Sequence, residues 1–271
     1  LIARVNKDGI GCCNARGIQF SRGNITVQHN SVDSIGYNGI GFYDPDNIIE
    51  ENIIRYFCLD LCDGTAIGTW SHSYDAPGAM GTVIKSNIII GGTGPDGAMN
   101  FPEDNQGGNN WWYNGIYLDD RTHGIEVMNN SIYNTFLGIY LHNTKNHIIR
   151  GNNIYGTNNH GIMLREDDHG GAEQMTGNKI INNKVFMLAS NYFPVAIESW
   201  YKSVRLAEFD SNFYYHPLSV HSVYFKNDTL TKLMNLNEWN RFSGDDAHTL
   251  KNAFYWNPYT ISDTLTGNLI S

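Results

Sequence analysis

The chain is poor in charge and in cysteine. Only 17% of its 271 residues are Asp, Glu, Lys or Arg, so a protein of this length must present broad uncharged faces. Its four cysteines stand as Cys12-Cys13 and as Cys58 and Cys62. No zinc spacing and no Cys-x-x-Cys redox pair arises, and buried small side chains are the plain expectation. No apolar run approaches the roughly 20 residues that a membrane-spanning helix needs. No basic block offsets the net charge of −9, which argues against nucleic acid and anionic membrane as partners. A serine nucleophile elbow, a phosphate-binding loop, a dinucleotide fingerprint and an HExxH pair are all missing. The chain opens at Leu1 within repeat-like sequence, with neither an initiating Met nor a signal peptide, and reads as a mature or trimmed fragment.

What is present is repetition. GIYLDD, GIYLHN and GIMLRE begin at Gly115, Gly138 and Gly161, spaced by 23 residues. That spacing is too long for a hairpin and suits one coil of a stacked β solenoid. Earlier copies begin at Gly17, Gly39 and Ala66, and a degenerate copy at Ala196. Within each copy alternate residues are apolar, as in Ile116 and Leu118 or Ile139 and Leu141. Period 2 turns these inward and turns Tyr117, Asp119, Tyr140, His142 and Arg165 outward. Strands such as NITVQHN, NIIEEN, GIEVMNN and HIIRGNN supply a second sheet.

Asparagine is a second register marker. It precedes an apolar pair at Asn30, Asn52, Asn87, Asn130, Asn153, Asn183 and Asn212. An Asn at such a point tolerates left-handed dihedrals and hydrogen-bonds its copy one coil away. The expected architecture is an all-β, single-stranded parallel β-helix over 1–224 with an internal asparagine ladder. From about Phe225 the repeat is lost, and TLTKLMNLNEWNRF has apolar spacing for a short helix. Residues 225–271 therefore read as a C-terminal cap that shields the last coil.

Three stretches exceed the coil length: about 71–81, 91–113 and 167–176. All three border the strand position that carries Asp119, and loops of this length on a regular scaffold carry function. Aligned copies give one outward column of Ser21, Tyr43, Trp70, Asp119, His142 and Arg165. The next column is Arg22, Asp44, Ser71, Asp120, Asn143 and Glu166. Neighbouring coils stand about 4.8 Å apart, so the acids, the imidazole and the guanidinium cluster. Trp70, Tyr43, Trp111 and Trp112 supply flat faces of the kind that take sugar rings.

Glycoside hydrolysis needs two carboxyl groups, roughly 6.5–9.5 Å apart for inversion. Glu166 as general acid and Asp119 as general base would meet that across two coils. His142 would orient either one or bind a hydroxyl, and Arg165 would keep Asp119 ionised. The two roles are interchangeable at this stage, and Asp120, Asp63, Asp167 and Asp168 are alternatives. A competing reading is a lyase for uronic-acid polymers with Arg165 or His142 as base. Its calcium would be held by Asp119, Asp120, Glu166 or the loop carboxylates Asp167, Asp168 and Glu173. A third is a non-catalytic carbohydrate-binding or adhesin solenoid working through its aromatic strip.

The chain resembles the pectate-lyase-like superfamily of right-handed parallel β-helices. More closely, it is similar to bacterial β-helix carbohydrate-active proteins. The resemblance rests on Asp63-Gly64-Thr65-Ala66-Ile67-Gly68-Thr69-Trp70, on Gly115 to Asp120, and on Glu238-Trp239 with Gly244, Asp246, Ala247 and His248. It implies the right-handed coil, a polysaccharide or oligosaccharide partner and a secreted or periplasmic enzyme of glycosidic bonds. No cofactor is implied beyond calcium in the lyase reading. After His248 the sequence departs from the pattern, which leaves the C-terminal end open. The sugar, the linkage and the oligomeric state are not readable from these residues.

Overall fold

Three strands occur in each coil, one more than the two that the repeats alone define. The computed structural model describes residues 15–61, 63–92, 112–168, 174–203 and 205–250, and the backbone alone of 2–5 and 251. The strands stack into three sheets, of nine, nine and seven strands, with order rising in steps of one coil. One nine-stranded sheet runs from Ile2–Val5 to Leu250–Lys251, and the seven-stranded sheet from Thr26–Gln28 to Ala207–Asp210. The other nine-stranded sheet runs from Ile18–Phe20 to Thr231–Met234 and carries the glycine-marked strands. Every pairing between coils is parallel, which demands a crossover for each step and receives one from the other two faces of the coil.

The interior is a set of aliphatic columns. Ile67, Ile116, Ile139, Ile162 and Val195 lie in register along the glycine-marked sheet, all fully buried. Ile54, Ile89, Ile132, Ile154 and Val185 do the same on the larger neighbouring sheet. Burial of each such side chain stabilises by about 1.5–3 kcal/mol, so a short strand with one inward residue holds only through its stacked neighbours. The marker glycines have a steric cause. A Cβ on Gly115 would stand 2.5 Å from the Gly138 carbonyl oxygen and 2.7 Å from Ile132. One on Gly138 would stand 2.5 Å from the Gly161 carbonyl oxygen.

The asparagine ladder runs through Asn30, Asn52, Asn87, Asn130, Asn152, Asn183 and Asn212. Each Nδ2 donates to the next Oδ1 at 2.9–3.1 Å. Asn152, not the expected Asn153, is the rung. Asn153 opens the strand Asn153–Tyr155 and faces solvent. The left-handed conformation belongs to the residue before each rung, not to the rung. His29, Glu51, Ser86, Asn129, Gly151, Asn182 and Ser211 have φ between 54° and 66°. That turn swings the following amide inward.

Register also moves the degenerate copy. Val195 pairs with Ile162, so Ala196 stands opposite Met163 rather than Gly161. The parallel stack continues through Val223–Lys226, and Thr231–Met234 folds back on it antiparallel. The helix is shorter than the apolar spacing suggested, at Leu236–Ser243, with Asn235 and Glu238 forming a capping box and Gly244 ending it. Its Trp239 is buried against Phe209 and donates its indole N–H to Asp246 at 2.8 Å. Cys58 is buried in the core. Cys12, Cys13 and Cys62 lie outside the described residues.

Candidate active site

The outward column forms as aligned. Trp70 follows the strand Gly64–Thr69, Asp119 follows Tyr113–Leu118, and His142 pairs in register with Arg165. His142 Nδ1 lies 2.8 Å from Asp119 Oδ1, and its Nε2 lies 3.1 Å from Asp167 Oδ2. Asp120 Oδ1 is 3.6 Å from the same Nδ1. One imidazole is thus gripped at both edges by carboxylates. Burial pulls its pKa down, but the hydrogen bonds and charges of Asp119 and Asp167 outweigh that and raise it to about 9. At neutral pH the ring is an imidazolium donating both protons.

Asn143 fastens the group from below. It is fully buried, and its Nδ2 donates to Asp120 Oδ1 at 2.9 Å and to Asp167 Oδ1 at 3.0 Å. Its Oδ1 accepts the Asp167 backbone N–H at 2.9 Å. Tyr74, from the first long loop, donates its hydroxyl to the Asn143 carbonyl oxygen. Lys145 stands over the Tyr74 ring at 4.3 Å, which pins that loop to the site. Asn143 was readable as the next column beside Asp120. Tyr74 was not, because a loop has no period.

A cavity of about 340 Å³ opens beside this grip, lined by Arg16, Tyr37, Tyr43, Asp63, Trp70, Tyr117 and Asp119 among others. Asp63 is exposed by residue area, but the cavity walls crowd it. That crowding first, and the Asp119 charge second, push its carboxyl up to about 6. Tyr43 accepts a hydrogen bond from Arg16 and meets Trp70 edge-on at 6.4 Å. Tyr117, Tyr140 and Trp112 form a stacked terrace, with ring centroids 4.6 Å and 5.4 Å apart. Burial raises the hydroxyls of Tyr117 and Tyr140 well above their usual range, so both remain neutral.

Glu166 is the correction. The strand Ile162–Glu166 alternates, and its last side chain falls on the inward side with Ile162 and Leu164. Glu166 is fully buried, accepting from the Met175 backbone N–H at 2.9 Å and from the Ser199 hydroxyl. It braces two turns and takes no place in the groove. Asp167, one residue on, swings out to His142 instead. Arg165 is also reassigned: its Nε lies 3.4 Å from Asp167 Oδ2, and His142, not Arg165, faces Asp119. Trp111, His169 and Glu173 lie outside the described residues.

Among the described residues, Glu166 leaves the carboxylate set expected for calcium, because its side chain turns inward. A different trio, Asp119, Asp120 and His142, has donor atoms within 4.8 Å of one another. Its imidazole nitrogen does not suit calcium, which takes oxygen ligands, and suits a transition metal better. No helix among the described residues is long and apolar enough to cross a membrane.

No curated protein sequence matches the chain. A solved structure to which the chain is similar is the A-module of the mannuronan C-5 epimerase AlgE4 from Azotobacter vinelandii. It is 14% identical, with a TM-score of 0.44 over 84% of this chain. The chain spans 58% of the length of that module. The sequence model of the right-handed β-helix region matches residues 16–203, the coils that carry the whole candidate site. Parallel sheets stacked coil on coil and that match over most of the sequence make this chain a member of the right-handed β-helix family.

Proposed function

We propose that this chain is a carbohydrate-active enzyme that hydrolyses glycosidic bonds of a polysaccharide. The observation that carries the reading is the placement of Asp63 and Asp119 on one cavity, with Asp119 held by the imidazolium of His142. Acid–base chemistry needs two carboxyls whose surroundings push their protons apart. Asp63, raised by crowding and by a neighbouring charge, holds its proton longer and suits the general acid. Asp119, bonded to a cation, suits the general base that activates water. Asp167 and Asn143 orient His142, while Trp70, Tyr43 and Tyr117 present flat faces to sugar rings.

The test is an assay of purified protein on neutral and uronic-acid polysaccharides, with and without EDTA. Reducing ends and the ultraviolet absorbance of unsaturated products are read together. Hydrolysis predicts reducing ends without new absorbance, lost in Asp119→Asn and in Asp63→Asn. New absorbance quenched by EDTA would replace this reading with a metal-dependent lyase. Glycan binding with silence in both channels would leave a binding solenoid.

A further inference from the structure

Trp200 belongs to no site described so far. It is the most exposed tryptophan among the described residues, at 57%, against 40% for Trp70, and it stands two residues past Glu198, which pairs with Arg165 in the row of Trp70. The register places it one coil beyond Asp167, since Glu166 pairs with Ser199. Trp70 precedes Asp119 by one coil. Two open indoles therefore bracket the Asp119–His142–Asp167 group along the solenoid axis. Four coil steps separate them, roughly 20 Å at about 4.8 Å per step.

Trp200 is also held firmly. Its backbone N–H donates to the Glu166 carbonyl oxygen at 3.0 Å. The Ser199 hydroxyl donates to the buried Glu166 carboxylate, and the Tyr201 N–H donates to Ser199 Oγ at 2.9 Å. The buried carboxylate thus fixes the turn that presents the indole. A large apolar face held open to water on a braced turn is built to meet a ligand.

We infer that Trp200 is a distal sugar-binding platform, so that a glycan chain lies along the coil axis from Trp70 to Trp200. This rests on the function proposed above and deepens it. One sugar in an extended chain advances by about one coil step, so the span between the two indoles holds about four units. Asp63 and Trp70 flank the same strand, so the acid–base pair lies at the Trp70 end and the chain extends from it towards Trp200. The stretch carries an exposed indole at each end, which fits the faces of a linear oligosaccharide.

The experiment uses the full chain carrying Asp119→Asn. Intrinsic fluorescence follows binding of xylo-, manno-, cello- and galacturono-oligosaccharides of two to six units, while the unmodified chain is assayed for cleavage of the same series. At least one series should bind about tenfold more tightly as hexamer than as trimer. Trp200→Ala should cut that ratio about five- to tenfold, the worth of one lost ring stack. Trp200→Phe should restore most of it, and Tyr155→Ala, on another face, should leave it alone. Length-dependent binding that Trp200→Ala abolishes, without cleavage of any series, sustains the platform and removes only the hydrolase reading. Cleavage that depends on Asp119 but not on chain length or Trp200 overturns the platform and leaves the hydrolase reading standing. No length-dependent binding in any series overturns the platform outright.

Discussion

Two stacked polar columns run through this solenoid, and they solve opposite problems. The inner one is amide on amide: seven asparagines, each donating to the next at 2.9–3.1 Å. An amide both donates and accepts, so identical groups can stack in register without charge and remain satisfied when buried. The outer column places acid, imidazole and guanidinium at equivalent positions. Carboxylates cannot donate to one another, so identity there would be repulsive. A neutral repeat builds a scaffold. A charged, non-repeating stretch at the same spacing builds a site, and it needs loops, Asn143 and partial exposure to remain stable.

The largest effect that would sharpen this contrast is in the outer column. Asp119→Asn should lower turnover by about 1,000-fold, within the range for loss of a positioned base, with the denaturation midpoint little changed. A comparable loss in thermal stability would mean that the acid is structural. Asn130→Ala should do the reverse. It strips four buried hydrogen bonds, to Asn87, Ile84 and Asn152, and should cost about 4 kcal/mol in urea unfolding. Turnover per folded molecule should be kept.

Glu166→Gln tests the boundary between the columns. The amide loses one of two acceptors inside the wall, so about 1–2 kcal/mol should be lost with kcat kept within about threefold. A collapse of kcat would return Glu166 to the chemistry. The pH dependence is gentler. His142 is raised from 6.5 to about 9 on folding. A raised group stabilises fully below its unfolded value and loses that contribution as pH climbs through the folded one. The unfolding midpoint should therefore decline between pH 6.5 and about 9, and His142→Gln should flatten that slope. Asp63, raised to about 6, should set a loss of activity on the alkaline side. The smallest effect belongs to the outer face of another sheet. Tyr155, stacked on Tyr133 at 5.6 Å and 45% exposed, should cost under about 1 kcal/mol as alanine and leave activity alone.

The coil was legible because it repeats. Gly115, Gly138 and Gly161 gave the period, and the close approach of one coil's backbone to the next explains why only glycine serves there. Asp119, His142 and Arg165 followed from the same arithmetic. The repeats require at least two strands in each coil and leave the third open, because three-residue strands carry one inward side chain and no visible alternation. Asn152 and Asn153 both fit the motif, so the doublet alone does not tell which is the rung.

The sequence by itself determined the stacking axis, the inward aliphatic columns and which residue types share an outward row, since all three follow from a fixed period. Only the tertiary structure decided which partners meet the last side chains of each row. Strand alternation ends where a loop begins, and the path of the loop is set by contacts that have no period. Glu166 is inward by the alternation of its strand, and it is satisfied there because the turns at Met175 and Ser199 supply donors. Asp167, on the outward side, meets Asn143 and His142, which no repeat could have announced.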